Sequence, residues 1–67
     1  MTTIQTQQLI VNNLNAAILA VTQAAENEQQ LTHTKQIGSH YQAALNALLA
    51  RAASDHALLV RMKAIGR

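Results

Sequence analysis

Three histidines and three carboxylates are the residues with which this 67-residue chain could do chemistry: His33, His40 and His56, and Glu26, Glu28 and Asp55. A metal site on a helix needs two ligands about one turn apart, so that both reach the same ion. His33 and His40 are seven residues apart on either side of an expected turn, and no carboxylate stands at ligand spacing to them. There is no cysteine to supply a thiolate. The histidines therefore read as solvated or hydrogen-bonded side chains, and neither a metal nor a cofactor is expected. Asp55 and His56 are adjacent, which on a helix points them about 100° apart, so they do not form a dyad. No nucleophile motif accompanies them, and no catalytic residue is expected. Asp55 is expected to reach Arg51, one turn back on the same face, or to act as a polar register device within an apolar stripe.

The cations gather late in the chain. Arg51, Arg61, Lys63 and Arg67 make the second half basic and are the candidates for nucleic-acid contact. They are few and interleaved with Leu58, Leu59, Val60 and Met62, whereas a duplex binder carries a denser basic face. The sequence around Gly38 also lacks the compact recognition helix of a helix-turn-helix. The sole aromatic, Tyr41, falls on an apolar stripe, where it serves as core or as an anchor for a partner.

The elements that must carry these residues are helices. Ile4, Val11, Ile18 and Ala25 recur every seven residues, and Gln7, Leu14 and Val21 fill the intervening positions, so all seven lie on one helix stripe. The composition is rich in Ala, Leu and Gln, has no Pro and only two Gly, and nowhere alternates as a strand does. Helix 1 is expected from about residue 3 to 36, opened by a capping box of Thr2 and Gln5. A turn at 37–39 follows, with Gly38 in the left-handed conformation, Lys35 in the last turn of helix 1, and a second capping box of Ser39 and Gln42. Helix 2 is expected from about 40 to 65, near Gly66, with a stripe of Tyr41, Leu45, Leu48, Ala52, Leu59 and Met62 that Asp55 interrupts.

A short connection makes these helices an antiparallel hairpin. Folding about Gly38-Ser39 predicts that Ala25 faces Ala52, Ile18 faces Leu59, Leu14 faces Met62 and Val11 meets Ile65, with Ile4 overhanging. The region 26–36 carries only one large aliphatic side chain, Leu31, so the turn end is expected to be polar and the open end apolar. Further apolar rows exist: Ile10, Ala17, Ala24 and Leu31 on helix 1, and Leu49, Ala53, Val60 and Ala64 on helix 2. A lone hairpin covers one stripe per helix, so these rows predict another layer of helix.

One domain, 1–67, is the ceiling at this length, and a chain so small usually needs a staple. With no cysteine, that staple is oligomerisation, a protein partner or unusually regular helix packing. The net charge is +2 and only 12% of residues are charged, less than an isolated globular surface normally carries. The longest apolar run, 16–21, is far below the ~20 residues that span a bilayer. No Lys or Arg precedes Lys35, so no secretory leader is expected, and the chain is expected to be cytoplasmic, away from membranes.

The size, the hairpin and the Tyr41-Gln42 pair early in helix 2 resemble the small co-chaperones that sequester needle subunits in bacterial type III secretion. The brevity and the helical make-up are also similar to small phage-encoded inhibitors of host proteins. Both resemblances imply a non-enzymatic protein-binding role and neither assigns residues. The expectation is an all-α hairpin that dimerises into a four-helix bundle and binds a second protein as adaptor, chaperone or inhibitor. Its interface residues would be drawn from Ile4, Ile10, Val11, Leu14, Ile18, Val21, Tyr41, Leu45, Leu48, Leu49, Leu59, Val60, Met62 and Ile65. The alternatives are a dimeric nucleic-acid-binding regulator and a purely structural oligomerisation module.

Overall fold

A computed structural model describes residues 2–65 of the chain. Two helices, α1 (Thr3–Thr32) and α2 (Ser39–Ile65), pack antiparallel as a hairpin in a rod of 51 × 18 × 13 Å. The N-terminal capping box forms as expected: Thr2 Oγ1 accepts from the Gln5 N–H at 3.1 Å, and Gln5 Oε1 accepts from the Thr2 N–H at 2.9 Å.

The first correction concerns the end of α1, which lies at Thr32 and not near residue 36. His33 takes the left-handed conformation (φ 58°, ψ 31°), and both its N–H and that of Thr34 turn back to the Gln29 carbonyl. This closes the helix in the manner usually left to glycine. Histidine is among the non-glycine residues enriched in that region of backbone space. The Thr32 hydroxyl also bonds back to the Glu28 carbonyl at 2.9 Å, a side-chain competitor for main-chain bonding. Lys35 is thus outside the helix, where its carbonyl accepts from Gln29 Nε2 at 3.0 Å.

The connection is six residues, 33–38, in place of the expected turn at 37–39. Gly38 does not adopt a positive φ. Its carbonyl accepts from the Gln42 N–H at 3.0 Å, so Gly38 caps α2 and Ser39 is already helical. The second capping box does not form; the Gln42 side chain bonds Asn46 instead. Space at 38 is tight: a Cβ there would lie 3.0 Å from His40 Cε1 and 3.1 Å from Glu28 Oε1, so those side chains would have to give way.

The second correction is the register. The chain returns alongside the last turn of α1, so α2 starts level with Glu28, which pairs with His40 at 3.4 Å. Consequently Ile4 shares a groove with Met62 and Ile65 and does not overhang. Gln7 meets Asp55 and Gln8 meets Lys63. The predicted facings of Leu14 with Met62 and Ile18 with Leu59 are displaced toward the turn by several residues, as are those of Ala25 with Ala52 and Val11 with Ile65. The polar turn end and apolar open end stand as expected: residues 32–36 are exposed polar side chains.

Candidate functional site

The seam between the helices is thin. Val11, Ala25, Leu45 and Leu59 are its buried apolar members, and no large side chain among the described residues is fully buried. Two polar residues are buried with them, Gln7 and Asp55. Gln7 Nε2 donates to the Asp55 main-chain carbonyl at 2.9 Å, the one buried side-chain hydrogen bond among the described residues that crosses between the helices. The Asp55 carboxylate accepts from Arg51 Nε at 2.9 Å, the expected pairing one turn back. Every buried side-chain polar atom among the described residues has a partner. The polar groups of this cluster satisfy one another, and the Gln7–Asp55 bond ties the two helices together at that height.

Of the interface candidates, Val11, Leu45 and Leu59 are a correction: they pack between the two helices and offer no surface to a partner. Ile4, Leu14, Ile18, Val21, Tyr41, Leu48 and Met62 are half-buried along the seam edges. Ile10, Leu49, Val60 and Ile65 are exposed, Ile65 at 77%.

The exposed residues divide between two flanks. The Glu28–His40 pair marks one flank, and the Gln8–Lys63 contact marks the other. Eighteen residues make five full helical turns. Ile10 stands eighteen before Glu28 (28 − 10) and Leu58 eighteen after His40 (58 − 40), so both project on the first flank. With them run two rows at seven-residue spacing: Ile10, Ala17, Ala24 and Leu31 on α1, and Ala44, Arg51, Leu58 and Ile65 on α2. By the same count Glu26 shares Gln8's direction, and Leu49 and His56 fall in the row of Lys63. The second flank is polar on α1 (Gln8, Asn12, Asn15) and apolar on α2 (Leu49, Val60).

Leu19 and Leu58 are exposed aliphatics absent from the predicted interface set. Leu58 was legible as the member of the Ile65 row one heptad earlier. Leu19 carried no such signal, because its heptad neighbours are Asn12 and Glu26.

The cations do not form one face. Arg51 turns to Asp55 on the first flank, and Lys63 approaches Gln8 at 3.4 Å on the other. Arg61 lines the open-end groove beside Ile4 and Ile65. Arg67 lies outside the described residues. His33 closes α1 and His40 pairs with Glu28, while its ring lies 4.2 Å from that of Tyr41. His56 is exposed on the second flank. Among the described residues no three His, Asp or Glu side chains gather as a metal site.

The open-end groove holds about 410 Å³ and is lined mainly by Ile4, Met62 and Ile65 with Thr2, Thr3 and Arg61. It could take an aliphatic side chain and offers little polar chemistry. Among the described residues no helix is long and apolar enough to cross a membrane. Comparison with protein-family models, curated proteins and solved structures finds no match to this chain.

Proposed function

We propose that this protein is a non-enzymatic protein-binding module that acts by helix-on-helix packing as a homodimer, with an adaptor, chaperone or inhibitor role toward a second protein. The observation that supports this is the distribution of its aliphatic side chains. Nine large ones are at least 40% exposed, among them Leu19, Leu31, Leu58 and Ile65, while the buried apolar core amounts to four residues. Exposed surface is 5022 Å². A compact monomer of 7.2 kDa exposes about 4100 Å² by the general surface–mass relation. The excess, about 900 Å², is close to the ~800 Å² that each partner contributes to a standard specific interface.

The two flanks suit two occupants. One is mostly aliphatic on both helices, and the other pairs an amide-rich α1 with an aliphatic α2. A bundle formed through the first leaves Leu19, Leu49 and Val60 for a foreign helix.

Light scattering across a wide concentration range, with helicity followed in parallel, tests the reading. The expected result is a helical dimer that persists at moderate salt, because apolar burial is not screened as phosphate contacts are. A helical monomer at every concentration would overturn the homodimer. Affinity for duplex that falls steeply with salt would favour a nucleic-acid regulator. A dimer whose Leu19→Asp and Val60→Asp variants still recover every partner would restrict function to self-assembly.

A further inference from the structure

We infer that the flank marked by Glu28 and His40 is the dimer interface, and that its occupant is a second copy of this chain running head to tail. This rests on the homodimer reading above and adds the face, the orientation and the register.

Charge polarity sets the orientation. Glu28 stands on this flank at the turn end and Arg61 borders the open end beside Ile65, while Glu26 and Lys63, on the other flank, add only to the overall polarity of the rod. Side by side in the same direction, two hairpins would place like ends together. Head to tail, each acidic turn end lies beside a basic open end.

Side-chain size sets the register. Ala17 on α1 and Arg51 on α2 are both eleven residues from the Glu28–His40 level (28 − 17 and 51 − 40), so they lie at the same height. A two-fold axis at that height, lying across the flank, stacks α1 on α1 and α2 on α2 of the second copy. It sets Ile10 of one copy over Ala24 of the other, since 17 − 10 equals 24 − 17. It sets Leu58 over Ala44, since 58 − 51 equals 51 − 44. Ile10 and Leu58 therefore each meet an alanine, four times around the axis, which is the interdigitation that packs a helical interface. The same operation carries Ile65, 77% exposed, to the turn end of the second copy. The reverse orientation would stack Ile10 and Leu58 in one layer and the alanines in others, overfilling one end and leaving the other hollow.

Because like helices stack, Ala17 near the axis faces Ala17 of the second copy and Arg51 faces Arg51. Each Arg51 stays bonded to its own Asp55 at 2.9 Å, so each copy brings a neutralised pair to the centre of the interface.

The chain has no cysteine, so single-cysteine labels are free of background. Ser39 is exposed at the start of α2. Two spin labels on Ser39→Cys would be about 36 Å apart along the bundle in the head-to-tail dimer, at ~1.5 Å per residue, and side by side in the reverse one. A long distance by pulsed electron resonance is expected; a distance below about 20 Å overturns the orientation. Leu58→Asp should weaken dimerisation at least tenfold by light scattering, while Val60→Asp on the opposite flank leaves it within about twofold. The opposite ranking overturns the choice of face. Absence of any dimer from the unsubstituted chain would instead defeat the homodimer reading itself.

Discussion

The side-chain amide of Gln7 donates to the main-chain carbonyl of Asp55 across 2.9 Å of buried seam, joining residues 48 apart in the chain. Around this contact α1 and α2 hold a single register, because a slide of α2 by one turn would leave a buried amide without a partner. An unmade buried hydrogen bond costs roughly 1–3 kcal/mol, enough to decide between registers of similar apolar burial.

Removing that amide separates stability from specificity. Gln7→Leu fills the seam with an aliphatic residue and should leave the urea midpoint unchanged or higher, while labels on the two helices report a broader spread of register. Gln7→Ala leaves a small void in addition and should cost about 1–2 kcal/mol. A Gln7→Leu variant that is both destabilised and uniquely registered would show that the amide contributes more than alignment.

The Arg51–Asp55 pair should respond asymmetrically. The Asp55 side chain is only 10% exposed and that of Arg51 is 72% exposed. Arg51→Ala strands a nearly buried carboxylate and should cost about 1–3 kcal/mol. Asp55→Leu, together with Arg51→Ala, replaces the pair by apolar seam and should be close to neutral. Chemical denaturation of the three chains measures the order; equal losses in the single and double variants would contradict it.

The core has little reserve. Leu59 is 2% exposed, and Leu59→Ala should cost about 2–4 kcal/mol. A scaffold of this size rarely holds more than about 3–5 kcal/mol, so the variant should lose cooperative melting by circular dichroism. Leu19→Ala, at 59% exposure, should shift stability by no more than ~0.5 kcal/mol.

His33 tests the end of α1. Its positive φ is strained for any residue with a Cβ. His33→Gly should stabilise the hairpin by about 0.5–1 kcal/mol, and His33→Val should destabilise it by at least as much, read from thermal midpoints. If His33→Gly lowered the midpoint, the imidazole would be contributing more than the strain costs.

What the sequence determined by itself was local. The seven-residue stripe through Ile4, Val11, Ile18 and Ala25 requires a helix with one buried face. Thr2 and Gln5 cap it within a single turn, and Arg51 reaches Asp55 because i, i+4 side chains on a helix are neighbours whatever surrounds them. The antiparallel hairpin followed from two such stripes and a short connection. The end of α1, the path of 33–38 and the facing of the helices were decided only in the tertiary structure. A heptad stripe looks nearly the same after a slide of one turn, so periodicity cannot choose among registers. The choice fell to long-range contacts, Gln7 with Asp55 and Glu28 with His40, the second of which brings the start of α2 beside the last turn of α1. Which rows the hairpin leaves uncovered, Ile10 and Leu58 on one flank and Leu49 and Val60 on the other, followed from that register.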